Sequence, residues 1–149
     1  MLTASSFFGS TDNKLLDLLI GKYRVLCDER GVSFTVNIKT ANLSFMSEPD
    51  LTCLVCNILD NALEAAAASP EKTVELSINK INGFNVLTCR NSCEREPRSR
   101  GGELLSSKTS PGYHGNGMRI IRRVAAKYNG KLDWEYREKT KEFSLSILL

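Results

Sequence analysis

The chain has 149 residues, 42% of them hydrophobic and 25% charged, with ten glycines and four prolines scattered along it. This length and balance predict one soluble globular domain, because a disordered chain, a collagen, a coiled coil or a membrane span would each need a different composition. The net charge of +3 is too small to indicate nucleic-acid binding by itself.

The first predicted elements are a helix and a strand. Residues 1–12 are small and polar and predict a flexible leader ahead of a domain over 13–149. Apolar residues recur at helical spacing from Asn13 to Arg30, and Gly31 follows where helices commonly end. The alternating segment VSFTVNIK that comes next predicts a half-buried strand.

A second helix and a hairpin come next. Ser47 is expected to cap a helix that continues to Ala68, with Asp50 completing a capping-box-like pattern. Strands over 73–81 and 84–91 flank Asn-Gly, the dipeptide favoured by a two-residue hairpin turn.

The last part of the chain begins with residues 92–114, which show no periodicity and predict a long functional or mobile loop. A helix is predicted from Gly117 to Tyr128, followed by two alternating strands. Three helices and about five mostly antiparallel strands predict a two-layer α/β sandwich, with a mixed sheet and the helices on one face. The lack of regular βαβ alternation argues against a Rossmann sheet.

The first candidate site is the segment NILDNALEAA, residues 57–66. Asn57, Asn61 and Glu64 are four and three residues apart, so they share one face of the predicted helix. Amide oxygens in this arrangement suit a hard cation that keeps several waters and bridges phosphates, which is the usual behaviour of Mg²⁺. An exposed polar stripe is the alternative interpretation of the same spacing.

The second candidate site is the glycine-rich segment GYHGNG, residues 112–117, directly before the last helix. Glycines let a backbone approach a ligand closely, and free N–H groups at a helix N-terminus attract phosphate. Nine basic and three acidic residues lie between 90 and 127, which gives this region a charge of +6. The excess favours a polyanionic ligand, with Lys108 as a candidate phosphate contact; a turn and a solvated face are the plainer alternatives.

Several other residues have modest interpretations. Cys53 and Cys56 have a zinc-like spacing, but they lie inside a predicted helix and are expected to pack in the core. His114, the only histidine, is expected to contact a ligand rather than accept a phosphoryl group. Trp134 and Tyr136 are predicted to be core residues. The odd number of cysteines, five, favours a reducing, cytoplasmic compartment.

Taken together, these motifs resemble the ATP-binding fold shared by gyrases, heat-shock chaperones, histidine kinases and mismatch-repair ATPases, the GHKL superfamily. NILDNALEAA resembles its N box, and HGNGMRII resembles its second glycine box. The closer resemblance is to peptide-sensing histidine kinases of the accessory-gene-regulator type. It is carried by the N-x-x-L-D pattern from Asn13 to Asp17, the Ser-Ser-Lys segment ending at Lys108, and KYNG over 127–130. The resemblance spans 13–149.

The resemblance implies a Bergerat-type fold that binds ATP with Mg²⁺. It makes Asn57 and Asn61 the catalytic residues, with Asn61 as the metal ligand and Asn57 at the metal or the phosphates. Gly115 and Gly117 would cradle the phosphates at the end of an ATP lid formed by 92–114. The other nucleotide contacts that it implies are Glu64, Asn91, Lys108, His114, Asn116 and Met118.

One departure from the family pattern concerns the adenine end of the site. The first glycine box, Asp-x-Gly-x-Gly, is replaced by Asn91-Ser92-Cys93, as in the peptide-sensing subgroup. Asn91 can still face adenine, because a carboxamide accepts from the exocyclic amine and donates to a ring nitrogen.

The resemblance implies the catalytic domain of a two-component sensor histidine kinase in quorum sensing. Such a domain transfers the γ-phosphoryl group of ATP to a histidine on a separate dimerisation domain, so this chain should bind ATP yet label itself poorly. The implied partners are that domain of a homodimeric, membrane-bound parent and a response regulator, without nucleic acid or direct membrane contact.

Two alternatives remain open at this point. An anti-sigma-type serine kinase has the same fold, but its signature usually carries a glutamate where Asn57 stands. The other is a binding module without catalysis. A nucleic-acid-binding module would use the basic region 90–127 and show steep salt dependence without a requirement for Mg·ATP, and a nucleotide-binding one would be a degenerate kinase domain, in line with the missing first glycine box.

Overall fold

The structure, a computed structural model, describes residues 11–39, 42–104 and 116–149. Within these ranges the elements follow the order α1 (Lys14–Glu29), β1 (Ser33–Ile38), α2 (Glu48–Ala67), β2 (Thr73–Ile81), β3 (Phe84–Ser92), β4 (Ser99–Arg100), β5 (Glu103–Leu104), α3 (Asn116–Lys127), β6 (Lys131–Arg137) and β7 (Glu142–Leu148). Most of the predicted leader, residues 1–10, lies outside the described residues.

Five strands form one sheet in the order β1-β2-β3-β7-β6. The pair β1–β2 is parallel and the other three pairs are antiparallel. One face carries the buried side chains Val74, Leu76 and Ile78 of β2, which pack with the helices in a single hydrophobic core. The other face is polar, as the cross-strand ion pair of Glu75 and Arg90 illustrates. The predicted mixed α/β sandwich is confirmed.

One hairpin turn was predicted from the sequence, and a second hairpin was not. Asn82 and Gly83 both have positive φ, 52° and 84°, as the predicted two-residue hairpin turn requires. The expectation that 92–114 is a loop throughout was wrong for Ser99–Leu104, where β4 and β5 pair across Gly101-Gly102. Strands of two residues show no alternation, so the paired glycines were the only signal in the sequence.

Helix α1 is attached to α2 through one buried phenol. Tyr23 is completely buried, and its hydroxyl donates to Asp60 Oδ1 at 2.6 Å and lies 3.1 Å from the carbonyl oxygen of Cys56. Burial, together with the hydrogen bond to Asp60, raises the pKa of the Tyr23 hydroxyl well above its usual range, so it stays protonated and acts as a donor. The contact joins α1 to α2 one residue before Asn61.

The start of α2 is joined to the end of α3. Ser47 caps α2 as predicted, with its Oγ accepting the Asp50 N–H at 3.2 Å. Tyr128 completes the arrangement, since its hydroxyl accepts the Ser47 N–H at 3.0 Å and donates to Asp50 Oδ2 at 2.5 Å. Lys127 Nζ lies 2.8 Å from the same carboxylate oxygen. The Ser47 N–H, which a capping box would pair with Asp50, is instead bonded to Tyr128, the residue directly after α3.

This cluster predicts an acid-sensitive contribution to stability. Hydrogen bonds from Lys127, Tyr128 and Ser47 lower the pKa of Asp50 to about 2, below the value of about 3.9 for an unfolded aspartate. The contribution is therefore complete above about pH 4 and is lost as the pH falls toward 2. The Asp50→Asn variant should melt below the wild type at pH 6, and the difference in melting temperature should shrink at pH 3.

Thermal denaturation at pH 6, 4 and 3 measures this effect. Asp28→Asn, at an exposed position near the end of α1, serves as the control and should follow the wild-type profile. A difference between Asp50→Asn and the wild type that stays constant over this pH range would contradict the assignment.

No helix in the described part of the chain is both long and apolar enough to span a membrane. The five cysteines, all of which the structure describes, form no disulfide. Cys53 and Cys56 are partly buried and pack against the hydrophobic core, as predicted.

Candidate functional site

The two predicted amides lie one turn apart on α2 and are both half-buried. Asn57 Nδ2 donates to the carbonyl oxygen of Cys53 at 2.6 Å, which fixes the amide and leaves its oxygen to face away from that backbone group. Among the residues that the structure describes, none forms a hydrogen bond with the Asn61 amide. The neighbouring Ile58 and Ala62 are buried in the core and set the rotation of the helix.

Gly117, in the first turn of α3, lies against this pair of amides. A Cβ atom on Gly117 would stand 3.4 Å from Asn57 Oδ1 and 3.4 Å from both Oδ1 and Nδ2 of Asn61. The absence of a side chain at Gly117 therefore leaves a cradle between α3 and the amides. The unpaired N–H groups that every helix has in its first turn are brought to the same place. Two motifs far apart in the sequence form one site.

A cavity of about 520 Å³ opens beside the amides, between α2, the start of α3, β3, β7 and the segment after β3. This volume is in the range of about 300–1,000 Å³ that is usual for small-molecule sites. The predicted site residues that line it are Asn61, Glu64, Asn91, Gly117 and Met118. The core side of the cavity is apolar and includes Ala62, Phe143 and Leu145.

Asn91 lines the cavity and belongs to a small network of hydrogen bonds around Ser92. It is buried, and its Nδ2 donates to the carbonyl oxygen of Ser92 at 3.0 Å. Ser92 Oγ accepts the Thr73 N–H at 2.9 Å and lies 2.6 Å from Ser69 Oγ, just after α2. This network connects α2, β2 and β3, and it leaves the amide oxygen as the acceptor that Asn91 offers to a ligand.

Some of the predicted site residues are not among the described residues that line the cavity. Lys108, His114 and Gly115 lie outside the described residues. Asn116 begins α3, but its side chain is also outside them. Asn57 Oδ1 lies beside Gly117, but Asn57 is not among the described residues that line the cavity.

One wall of the cavity was not predicted residue by residue. It belongs to the segment from Cys93 to Leu104, which we call the cavity wall; its lining residues are Cys93, Arg95, Glu96, Pro97, Arg98 and Leu104. The lid predicted over 92–114 was the signal for it in the sequence, since its own three arginines and three glutamates leave the segment without net charge. Burial raises the pKa of Cys93, and burial raises that of Cys89, beneath the cavity, to about 12, so both thiols stay neutral at pH 7.

Two aromatic residues of β6 support this wall. Trp134 is partly buried and packs against the hydrophobic core, as predicted, whereas the prediction that Tyr136 is a core residue was wrong. Trp134 stacks on Phe143 with ring centroids 6.0 Å apart, and its Nε1 donates to the carbonyl oxygen of Gly102 at 2.8 Å. The Tyr136 hydroxyl donates to the carbonyl oxygen of Cys93 at 3.0 Å. Both side chains are half-buried, because β6 is an edge strand that is partly covered by the cavity wall.

Comparisons with known proteins identify the family and the fold. The profile of the GHKL domain family matches residues 46–149. No curated protein matches the chain. Among solved structures, a mycobacterial sensor histidine kinase, MprB, superposes with a TM-score of 0.70 at 21% identity, covering 91% of this chain and 93% of the other.

Two further solved structures show the same fold. The catalytic domain of histidine kinase ThkA has a TM-score of 0.66 at 17% identity, covering 97% and 96% of the two chains. The blue-light activated histidine kinase EL346 of Erythrobacter litoralis has a TM-score of 0.67 at 16% identity, covering 90% of this chain and 40% of its own. The chain belongs to the GHKL domain family and has the fold of histidine kinase catalytic domains.

Proposed function

We propose that the chain binds ATP with Mg²⁺ and is the catalytic domain of a sensor histidine kinase. In this proposal it transfers the γ-phosphoryl group to a histidine on a separate dimerisation domain. The observation that carries the proposal is the contact of Asn57, Asn61 and Gly117 beside a cavity that Asn61, Gly117 and Asn91 line.

The two amides fit a magnesium–triphosphate group. Their oxygens are uncharged metal ligands, and the cradle at Gly117 leaves room beside them for phosphate oxygens. Asn61 would be the metal ligand, with Asn57 Oδ1 at the metal or the phosphates. The bound metal would neutralise part of the triphosphate charge, as Mg²⁺ does with waters and few protein ligands.

The rest of the cavity fits a nucleoside. The free N–H groups in the first turn of α3 favour phosphate at the Gly117 end. The apolar surface of Ala62, Phe143 and Leu145 suits a purine base, and the Asn91 oxygen can accept a hydrogen bond from the adenine amine. Glu64 and Met118 would line the same groove, and Lys108, His114, Gly115 and Asn116 stay predicted contacts near the phosphates.

Phosphoryl transfer requires little covalent chemistry from the protein. Positioning and charge neutralisation supply most of the rate acceleration, and the acceptor must lie in line with the γ-phosphate. The chain contains one histidine, His114, within the proposed nucleotide contacts. The acceptor is therefore proposed to belong to another domain of the parent kinase.

The wider setting is part of the same proposal. The sequence resemblance supports a peptide-sensing, quorum-sensing kinase whose parent is a membrane-bound homodimer with a response regulator as its partner. The site described here would then lie on the cytoplasmic side.

Two experiments test the proposal. A fluorescent ATP analogue should bind the chain saturably with Mg²⁺ and much more weakly without it. With labelled ATP and the phosphoacceptor domain of the parent supplied in trans, the label should appear on that domain in an acid-labile form, as expected for phosphohistidine.

Other outcomes would exclude this function. Acid-stable labelling of a protein serine would indicate the serine-kinase alternative. Steeply salt-dependent binding of nucleic acid, without a requirement for Mg²⁺ and ATP, would indicate a binding module.

A further inference from the structure

Three side chains from α3 and β6 hold the cavity wall, residues 93–104. The Tyr136 hydroxyl donates to the carbonyl oxygen of Cys93 at 3.0 Å, and Trp134 Nε1 donates to that of Gly102 at 2.8 Å. Arg122, on α3, donates to the carbonyl oxygen of Leu104 at 2.7 Å. The segment is thus held at its start, at its turn and at its end.

The segment has little structure of its own to fix its position. Its two strands, β4 and β5, are two residues long each and pair only with one another, and an isolated hairpin is marginal in water. Besides these three contacts, the Cys93 N–H donates to the carbonyl oxygen of Lys141 at 2.8 Å, which fixes only the start of the wall. The Leu104 side chain is buried in the hydrophobic core, and the main-chain oxygens at the turn and at the end are bonded to Trp134 and Arg122.

The three donors act on the site only through the wall. None of them is among the described residues that line the large cavity. Arg122 and Trp134 instead border a separate cavity of about 230 Å³ behind the wall, and Leu104 belongs to the lining of both cavities. Movement of the wall would therefore displace Leu104 and the two cationic residues Arg95 and Arg98 from the large cavity.

We propose that Arg122, Trp134 and Tyr136 form a clasp that positions the cavity wall and slows the escape of the ligand. They are positioning residues, since they touch main-chain oxygens of the wall and not the cavity. The part of the inference that concerns nucleotide rests on the proposed function. The positioning of the wall is a property of the free protein and does not.

The test uses substitutions that remove one donor and keep an aromatic side chain. Tyr136→Phe and Trp134→Phe should each increase amide hydrogen exchange over 93–104 in the absence of nucleotide. They should also weaken binding of the fluorescent Mg·ATP analogue about three- to ten-fold, chiefly through faster dissociation, as the loss of one hydrogen bond allows. The double variant should show larger changes in both measurements.

A matched control separates this effect from a loss of general stability. Tyr128→Phe also removes one phenolic hydroxyl, but at the opposite end of α3, where it joins Ser47 and Asp50. It should lower the melting temperature and leave both exchange over 93–104 and the dissociation rate unchanged. Trp134 is the only tryptophan, so a red shift of its emission in Tyr136→Phe would independently show loosening of the clasp.

Each contrary result has a distinct meaning. Unchanged exchange over 93–104 in the double variant would overturn the clasp. Faster exchange with an unchanged dissociation rate would overturn its role in retaining ligand. Failure of the wild type to bind Mg·ATP would refute the proposed function, while exchange over 93–104 would still decide whether the clasp exists.

Discussion

Asn61→Ala is expected to abolish Mg²⁺-dependent nucleotide binding while leaving the fold intact. The amide oxygen of Asn61 is the proposed metal ligand, and a methyl group cannot replace it. We expect the affinity for the Mg·ATP analogue to fall about 100-fold or more, which corresponds to about 3 kcal/mol. The measurement is a titration of the variant and the wild type with the fluorescent analogue in the presence and absence of Mg²⁺.

The stability of this variant should differ little from that of the wild type. None of the described residues bonds to the Asn61 amide, and the side chain is only half-buried. Alanine is also the better helix former, by about 0.5 kcal/mol. The melting temperature without nucleotide should therefore be unchanged or slightly raised.

The control for this prediction is Asn37→Ala, which changes an exposed asparagine on β1. It should bind the analogue as the wild type does. Unaltered Mg²⁺-dependent affinity in Asn61→Ala would remove the central support for the proposed function.

Gly117→Ala is expected to weaken nucleotide binding without lowering the stability of the domain. The added methyl group would occupy the cradle at 3.4 Å from the amide atoms of Asn57 and Asn61, which is an ordinary packing distance. The domain should tolerate it and gain up to about 0.5–1 kcal/mol from the better helix propensity of alanine. Binding of the Mg·ATP analogue should fall about ten-fold or more, because the space beside the two oxygens is filled.

The matched control is Gly21→Ala in α1. Gly21 is exposed and lies in the middle of a helix. A Cβ atom added there would have no atom within 4 Å beyond its chain neighbours and its own helix backbone. This variant should show the same rise in stability, measured by urea denaturation, with no change in affinity. Equal binding by both variants would show that the cradle at Gly117 does not receive the phosphates.

Most of the fold could be predicted because its long elements carry clear periodicity. The three helices and the five strands of the main sheet follow the spacing of their apolar residues, and their ends follow local signals such as Ser47 and Gly31. The hairpin β4–β5 could not be predicted from periodicity, because two residues are too few to show any. Its glycine pair had the right chemistry for a turn, but no strand pattern flanked it.

The candidate site shows a similar division. Asn57, Asn61 and Gly117 each belong to a motif that can be recognised in the sequence, and the structure brings these motifs into contact. The supports of the cavity wall could not be found in this way. Trp134 and Tyr136 alternate along β6 like ordinary core residues, and only the tertiary structure shows that their polar groups reach main-chain oxygens of another segment.

The buried phenol of Tyr23 gives α1 a mechanical connection to the chemistry on α2. Its hydroxyl is bonded to Asp60, the residue immediately before the proposed metal ligand. If α1 rotates or shifts, the Tyr23 ring moves with it, and the Asp60 carboxylate must either move as well or lose this hydrogen bond. A rotation of the first helix would therefore act on α2 at the residue before Asn61, through the hydrogen bond between Tyr23 and Asp60.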